Sequence, residues 1–302
     1  MLLALLVAPL ALGAEPVVRN GFRLDPASIE VRQILQGGPP RDGIPALDHP
    51  PHGAGPDAWP DDALIIGVSQ AGQSRAYPLA LLVWHELVND TLGGRPILVS
   101  YCPLCGTAMV FDRTSAAGGP PRRFGVSGLL YRSDLLMFDR ATESLWSQIS
   151  AEAVTGPSLG ARLQLLRART DTLGAWRRAH PETTVLSRET GHRRRYDTSP
   201  YGDYAESERL LFPVPRDPRY HPKMPTLGLR LPGGPARAYP AVEVIRAGGS
   251  LAGDFAGHAV RVRYDDATQT FRVEAPEPIE VVEGFWFAWA AFHPETEVAK
   301  AP

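Results

Sequence analysis

The motif Arg75-Ala76-Tyr77-Pro78 returns as Arg237-Ala238-Tyr239-Pro240, and the match continues on both sides of it. Gly67, Gly94, Val99, Tyr101 and Phe111 correspond to Gly228, Gly257, Val262, Tyr264 and Phe271. Such a recurrence constrains the fold because each copy must bury the same apolar positions in the same way. In the first copy, residues 64 to 68 read as a strand, 70 to 74 as a polar turn and 76 to 78 as a second strand. Pro78 then opens a helix over 79 to 88, which Asn89-Asp90 and Gly93-Gly94 end. We therefore expect a duplicated strand, strand, helix, strand, strand unit. Thirty Pro and 29 Gly in 302 residues exclude a bundle of long helices. Between the copies, 122 to 126, 135 to 139 and 162 to 166 read as strands and 173 to 179 as a short helix. The expected class is α+β and β-rich, with mixed strands and short helices.

Residues 1 to 14 form an apolar run ending in small residues, shorter than the roughly 20 residues that span a bilayer. We expect a signal peptide there, and a periplasmic or secreted mature chain, although no Lys or Arg precedes Arg19. Residues 15 to 62 are dense in Pro, Gly and Asp and read as an N-terminal arm. Residues 63 to 215 form the main lobe with the first copy, and 216 to 302 the second copy and a tail. Hydrophobic residues make up 44%, enough for a packed core. With 31 basic against 33 acidic side chains there is no bulk charge to bind nucleic acid. No later run approaches the length of a transmembrane helix, so none is expected in the mature chain.

The copies differ where chemistry is concentrated. Nine residues separate Tyr101 from Phe111, but only six separate Tyr264 from Phe271, so the turn Cys102-Pro103-Leu104-Cys105-Gly106 reads as an insertion into scaffold. Its spacing points two sulfurs the same way, as in a metal knuckle. These are the only cysteines, so a four-sulfur site is excluded and other ligands must be His, Met or carboxylate. A disulfide across so short a loop would contribute only about 2 kcal/mol; a redox-active pair is the stronger rival. His85 lies on the stripe Leu81, Trp84, His85, Val88, which faces the core, and Glu86 beside it is a second ionisable group. We take Cys102, Cys105 and His85 as the ligand set, with copper favoured and zinc as the alternative. Asp134, Met137, Asp139, Arg140, Trp146 and Gln148 are candidates for orienting these ligands or binding substrate. The repeated Phe-Asp-Arg, at 111 to 113 and 138 to 140, reads more simply as a turn capped by Asp. The patch His192 to Arg195 reads as a solvated basic face, and no serine elbow, phosphate loop or dinucleotide fingerprint is present.

With these residues laid out, the chain resembles the bacterial and archaeal domain-of-unknown-function family numbered 3179. The resemblance rests on Asp42 to Pro50, Arg75 to Pro78, Trp84 to Asp90, Tyr101 to Ala108, Phe124 to Gly128, Asp139 to Gln148, Pro200-Tyr201 and the second Ala-Tyr-Pro. It implies an exported or membrane-anchored protein and no particular reaction. Function is therefore read from the residues: an exported protein with a Cys/Cys/His metal site, its catalytic or carrier role open, its partner a small molecule or a metal-donor protein. The alternatives are a thiol-disulfide oxidoreductase using Cys102 and Cys105, and a non-enzymatic module binding a ligand around Tyr131 and Trp146.

Overall fold

The computed structural model describes residues 15–53, 59–115 and 118–301; the expected leader at 1 to 14 lies outside the described residues. The fold is α+β and strand-rich, with four short α-helices among the described residues. Each copy opens with an antiparallel hairpin, Leu64–Gln70 with Gln73–Pro78 and Pro225–Arg230 with Ala236–Pro240. The registers agree: Gly67 lies opposite Ala76, and Gly228 opposite Ala238. A proline then starts each helix, Leu79–His85 or Ala241–Arg246, its fixed φ already suited to the first turn. A three-stranded meander follows, Leu87–Leu92, Arg95–Cys102 and Thr107–Asp112 in one copy, and Ser250–Phe255, His258–Asp265 and Thr270–Glu274 in the other.

The likeness extends beyond the stretch read from sequence. A closing strand, Ala168–Thr172 or Glu280–Phe285, pairs antiparallel with the first hairpin strand, and a last short strand pairs parallel with the second. Between them lie the helices Leu173–Ala179 and Trp286–Phe292, which end in Trp176…His180-Pro181-Glu182-Thr183 and Trp289…His293-Pro294-Glu295-Thr296. Each indole donates to the threonine, Trp176 Nε1 to Thr183 Oγ1 at 2.8 Å and Trp289 Nε1 to Thr296 Oγ1 at 3.0 Å.

Two expectations are corrected by the pairing. The first helix ends at His85 because Glu86 has φ of +58° and Leu87 already pairs with Ser100, so Val88 belongs to a strand. The cysteine turn is not an insertion. Cys102 lies opposite Thr107, and Asp265 opposite Thr270, so each turn contains four residues. Both turns end in a residue with positive φ, Gly106 at 62° and Gln269 at 53°. Phe111 therefore does not correspond to Phe271; Ala108 does, opposite Tyr101 as Phe271 is opposite Tyr264.

The real insertion comes later. In the second copy residues 275–279 connect the meander to the closing strand, whereas in the first copy residues 113–167 do so. This longer segment builds a five-stranded sheet from Phe124–Tyr131, Asp134–Asp139, Leu145–Ser147, Glu152–Ala153 and the arm strand Ile34–Gln36. The first meander and the second copy's hairpin share one nine-stranded sheet, joined where Ala108 lies opposite Glu283. Between that sheet and the inserted one lies a core holding Met137, Trp146, Trp286 and Trp289 together with both cysteines.

Candidate metal centre

Three elements meet at the cysteine turn. The turn itself is pinned from the second copy, whose Phe285 N–H donates to the Cys105 carbonyl at 2.7 Å. Gly106 needs its missing side chain, because a Cβ there would meet the Phe285 ring at 3.1 Å and φ is +62°. Below the turn, Gln148 Nε2 donates to Ser100 Oγ at 2.6 Å, and Thr107 Oγ1 donates to Gln148 Oε1 at 2.6 Å. The inserted sheet contributes the hairpin between Phe124–Tyr131 and Asp134–Asp139, closed by Arg132 and Ser133. Both turn residues have positive φ, 52° and 68°, as a two-residue hairpin matching strand twist requires. This turn aims Asp134 and the Ser133 carbonyl at the cysteines.

The ligand atoms of Cys102, Cys105 and Asp134 lie within 4.8 Å of one another, and all three residues are buried. The cysteines are unbridged, and Cys105 Sγ donates to Ser133 O at 3.3 Å. Asp134 Oδ2 accepts from Ile149 N at 3.0 Å, while Oδ1 is buried without a hydrogen-bond partner. Burial pushes both thiols up, Cys105 further than Cys102, and raises Asp134 to about 7. Without a cation the two thiols keep their protons; a cation would displace them and satisfy the unpartnered oxygen.

Glu86 borders the cluster. Burial, and then the nearby Asp134, raise its carboxyl to about 8. Its backbone, φ +58° and ψ −38°, lies where L residues rarely sit, a strain of about 1–3 kcal/mol that is often found at functional positions. It lines a cavity of about 130 Å³ together with Leu104 of the turn, Leu135 next to Asp134, and Tyr201, Leu211 and Phe212. The last three belong to a strap, residues 197–224, that crosses the site without regular structure. Lys223 ties the strap down: its Nζ donates to the carbonyls of Tyr204, Ser207 and Arg209 at 2.8, 3.3 and 2.9 Å and lies 3.3 Å from the Tyr204 ring centroid. Three donors on an ammonium fit three carbonyls. Lys223 was not singled out from sequence, yet a signal existed: it and Lys300 are the only lysines in the chain.

His85 is not brought to the sulfurs. Its Nδ1 donates to Pro45 O at 2.8 Å and its Nε2 accepts from Tyr196 Oη at 2.7 Å, so both ring nitrogens are committed. Among the described residues, the group able to share one ion is Cys102, Cys105 and Asp134. Burial lowers His85 to about 4, and it is a satisfied neutral core histidine. Met137 fills the core. Asp139 caps a turn, accepting from Thr142 N at 2.8 Å and Trp146 Nε1 at 2.9 Å, and Asp112 accepts from Thr114 N at 2.7 Å in the earlier Phe-Asp-Arg. Arg140 forms a two-armed pair with Asp42, at 2.9 and 2.7 Å, and Gln148 braces the base of the cysteine turn. Trp146 is fully buried and Tyr131 nearly so, which leaves no open aromatic face there.

A family model described as "Protein of unknown function (DUF3179)" matches residues 41–296. No curated protein and no solved structure matches the chain.

Proposed function

The chain belongs to the DUF3179 family, whose description specifies no chemistry, and from the buried cluster we propose that it holds a thiophilic metal ion through Cys102, Cys105 and Asp134. The observation that carries this reading is the convergence of two thiols and a carboxylate oxygen that has no other partner. Replacing the expected imidazole by a carboxylate moves the preference toward zinc, which accepts sulfur and oxygen ligands together, and away from Cu(I), which favours soft ligands. Three protein ligands leave a fourth tetrahedral position, the pattern of catalytic rather than structural zinc. The cavity at Leu104, Leu135 and Glu86 is the side on which a small ligand would reach that position. Export of the mature chain, read from the apolar leader, remains part of this proposal.

The oxidoreductase reading is less well supported, because redox-active cysteines have depressed pKa values and burial raises both of these. Anaerobically purified, reduced protein should bind one equivalent of zinc by elemental analysis and calorimetry. Cys105→Ser and Asp134→Asn should each weaken binding by at least about tenfold, whereas His85→Gln should leave it intact. Cobalt substitution should give sulfur-to-metal charge-transfer absorption in the parent protein and a weaker band, from the single remaining Cys102 thiolate, in Cys105→Ser. Absence of stoichiometric metal in the reduced parent, or full affinity in Asp134→Asn, would overturn the assignment.

A further inference from the structure

Between the first copy's closing strand, Ala168–Thr172, and the second copy's Thr270–Glu274 lies a cleft of about 460 Å³, within the roughly 300–1,000 Å³ of small-molecule sites. One wall is Trp176, packed so closely on Gly67 that a Cβ there would come within 2.5 Å of the indole. Arg169, opposite Gly67 in the sheet, places its guanidinium 5.0 Å from the centre of the same ring. The second copy repeats the glycine–tryptophan contact with Gly228 and Trp289, but the residue opposite Gly228 is Val282, which is buried in the core. The scaffold therefore does not require an arginine at this register.

The cleft also gathers unbalanced positive charge. Arg169 and Arg272 share one buried carboxylate, Asp171, at 3.0 and 2.5 Å. Arg167 donates to the backbone carbonyls of Ala275 and Ile279, both at 2.8 Å, and Arg263 pairs with Glu274 at 2.6 Å. Glu283 is raised to about 7 by burial and so carries less than a full negative charge near neutrality. Arg169 Nε is buried with no hydrogen-bond partner. All this occurs in a chain whose net charge is −2.

We propose that this cleft binds a small aromatic oxyanion, its charged end met by the guanidiniums of Arg169 and Arg272 and its ring meeting the edges that the largely buried Trp176 and Phe271 present to the cleft. Guanidinium forks match planar oxyanions, and a ring meets an aromatic edge in edge-to-face contact. The site is independent of the metal reading. Titration calorimetry on the mature protein should show saturable binding of phenyl phosphate or benzoate, about tenfold tighter than inorganic phosphate or benzyl alcohol and weaker at high salt. The better of the two aromatic anions identifies the oxyanion. Arg169→Val, which installs the second copy's residue, and Arg263→Gln at the exposed rim should each weaken binding several-fold or more. If Arg169→Val fails to fold, Arg272→Gln, which removes the other guanidinium assigned to the anion, decides in its place. No saturable binding of either aromatic anion, equal affinity for inorganic phosphate, or parental affinity in every variant that folds would overturn the proposal.

Discussion

His85 and Glu86 are consecutive and buried, and burial pushes their protonation in opposite directions, the imidazole down to about 4 and the carboxyl up to about 8. A histidine held neutral contributes stability above its unfolded pKa of about 6.5, and that contribution is lost as pH falls through about 4. A carboxyl held protonated contributes stability below about 4.5, lost as pH rises through about 8. Stability without metal should therefore peak between these limbs, on the acid side of neutrality. Glu86→Gln should make the alkaline limb shallower, with Asp134 and Glu283, both raised to about 7, supplying the rest, and leave the acid limb unchanged, measured as urea midpoints between pH 4 and pH 9 with a chelator present. An unchanged alkaline slope would mean that Glu86 is solvated in the native state.

At the scale of elements, the two copies serve as controls for each other. Both meander turns have four residues and end in a residue of positive φ, so Asp266 to Thr268 can stand in for Pro103 to Cys105, with Gly106 kept, without altering strand register. That graft should give a folded protein by circular dichroism that has lost tight metal binding. Unfolding would instead show that the cysteine turn is a structural staple. The glycines beneath the two indoles make a second pair of controls. A Cβ would approach the rings to 2.5 Å at Gly67 and 2.1 Å at Gly228, so Gly67→Ala and Gly228→Ala should each cost about 1–3 kcal/mol through overpacking. Denaturant melts of both variants check this, and a neutral result at either site would show that the tryptophan can shift.

Over the whole molecule, the core around the site draws on the first meander (Leu98, Cys102), the inserted sheet (Phe124, Trp146), the strap (Tyr204) and the second copy (Val282, Trp286). The nine-stranded sheet likewise runs through both copies. Neither copy can lose its packing without exposing apolar surface of the other, so thermal unfolding should be one cooperative transition with equal calorimetric and van't Hoff enthalpies. Two resolved transitions would mean that the copies are separate folding units joined at a weak seam.

Sequence alone determined the class and the order of elements around each Ala-Tyr-Pro, and it singled out the two cysteines on which the proposed site is built. These depend on local rules: alternation, proline and glycine placement, and the sulfur count. It carried less where partners are distant in the chain. Counting residues from Tyr101 to Phe111 misplaced the insertion, because only strand pairing shows that Ala108, and not Phe111, stands where Phe271 does. The stripe containing His85 marked it as inward-facing, yet which group it meets inside was decided by Pro45 and Tyr196, remote segments that occupy both its nitrogens. Asp134 was one name among several candidates until the Arg132-Ser133 turn aimed it at the sulfurs. A side chain's burial follows from periodicity within its own element, whereas its chemical partner depends on how sheets pack, and that packing is a property of the whole chain.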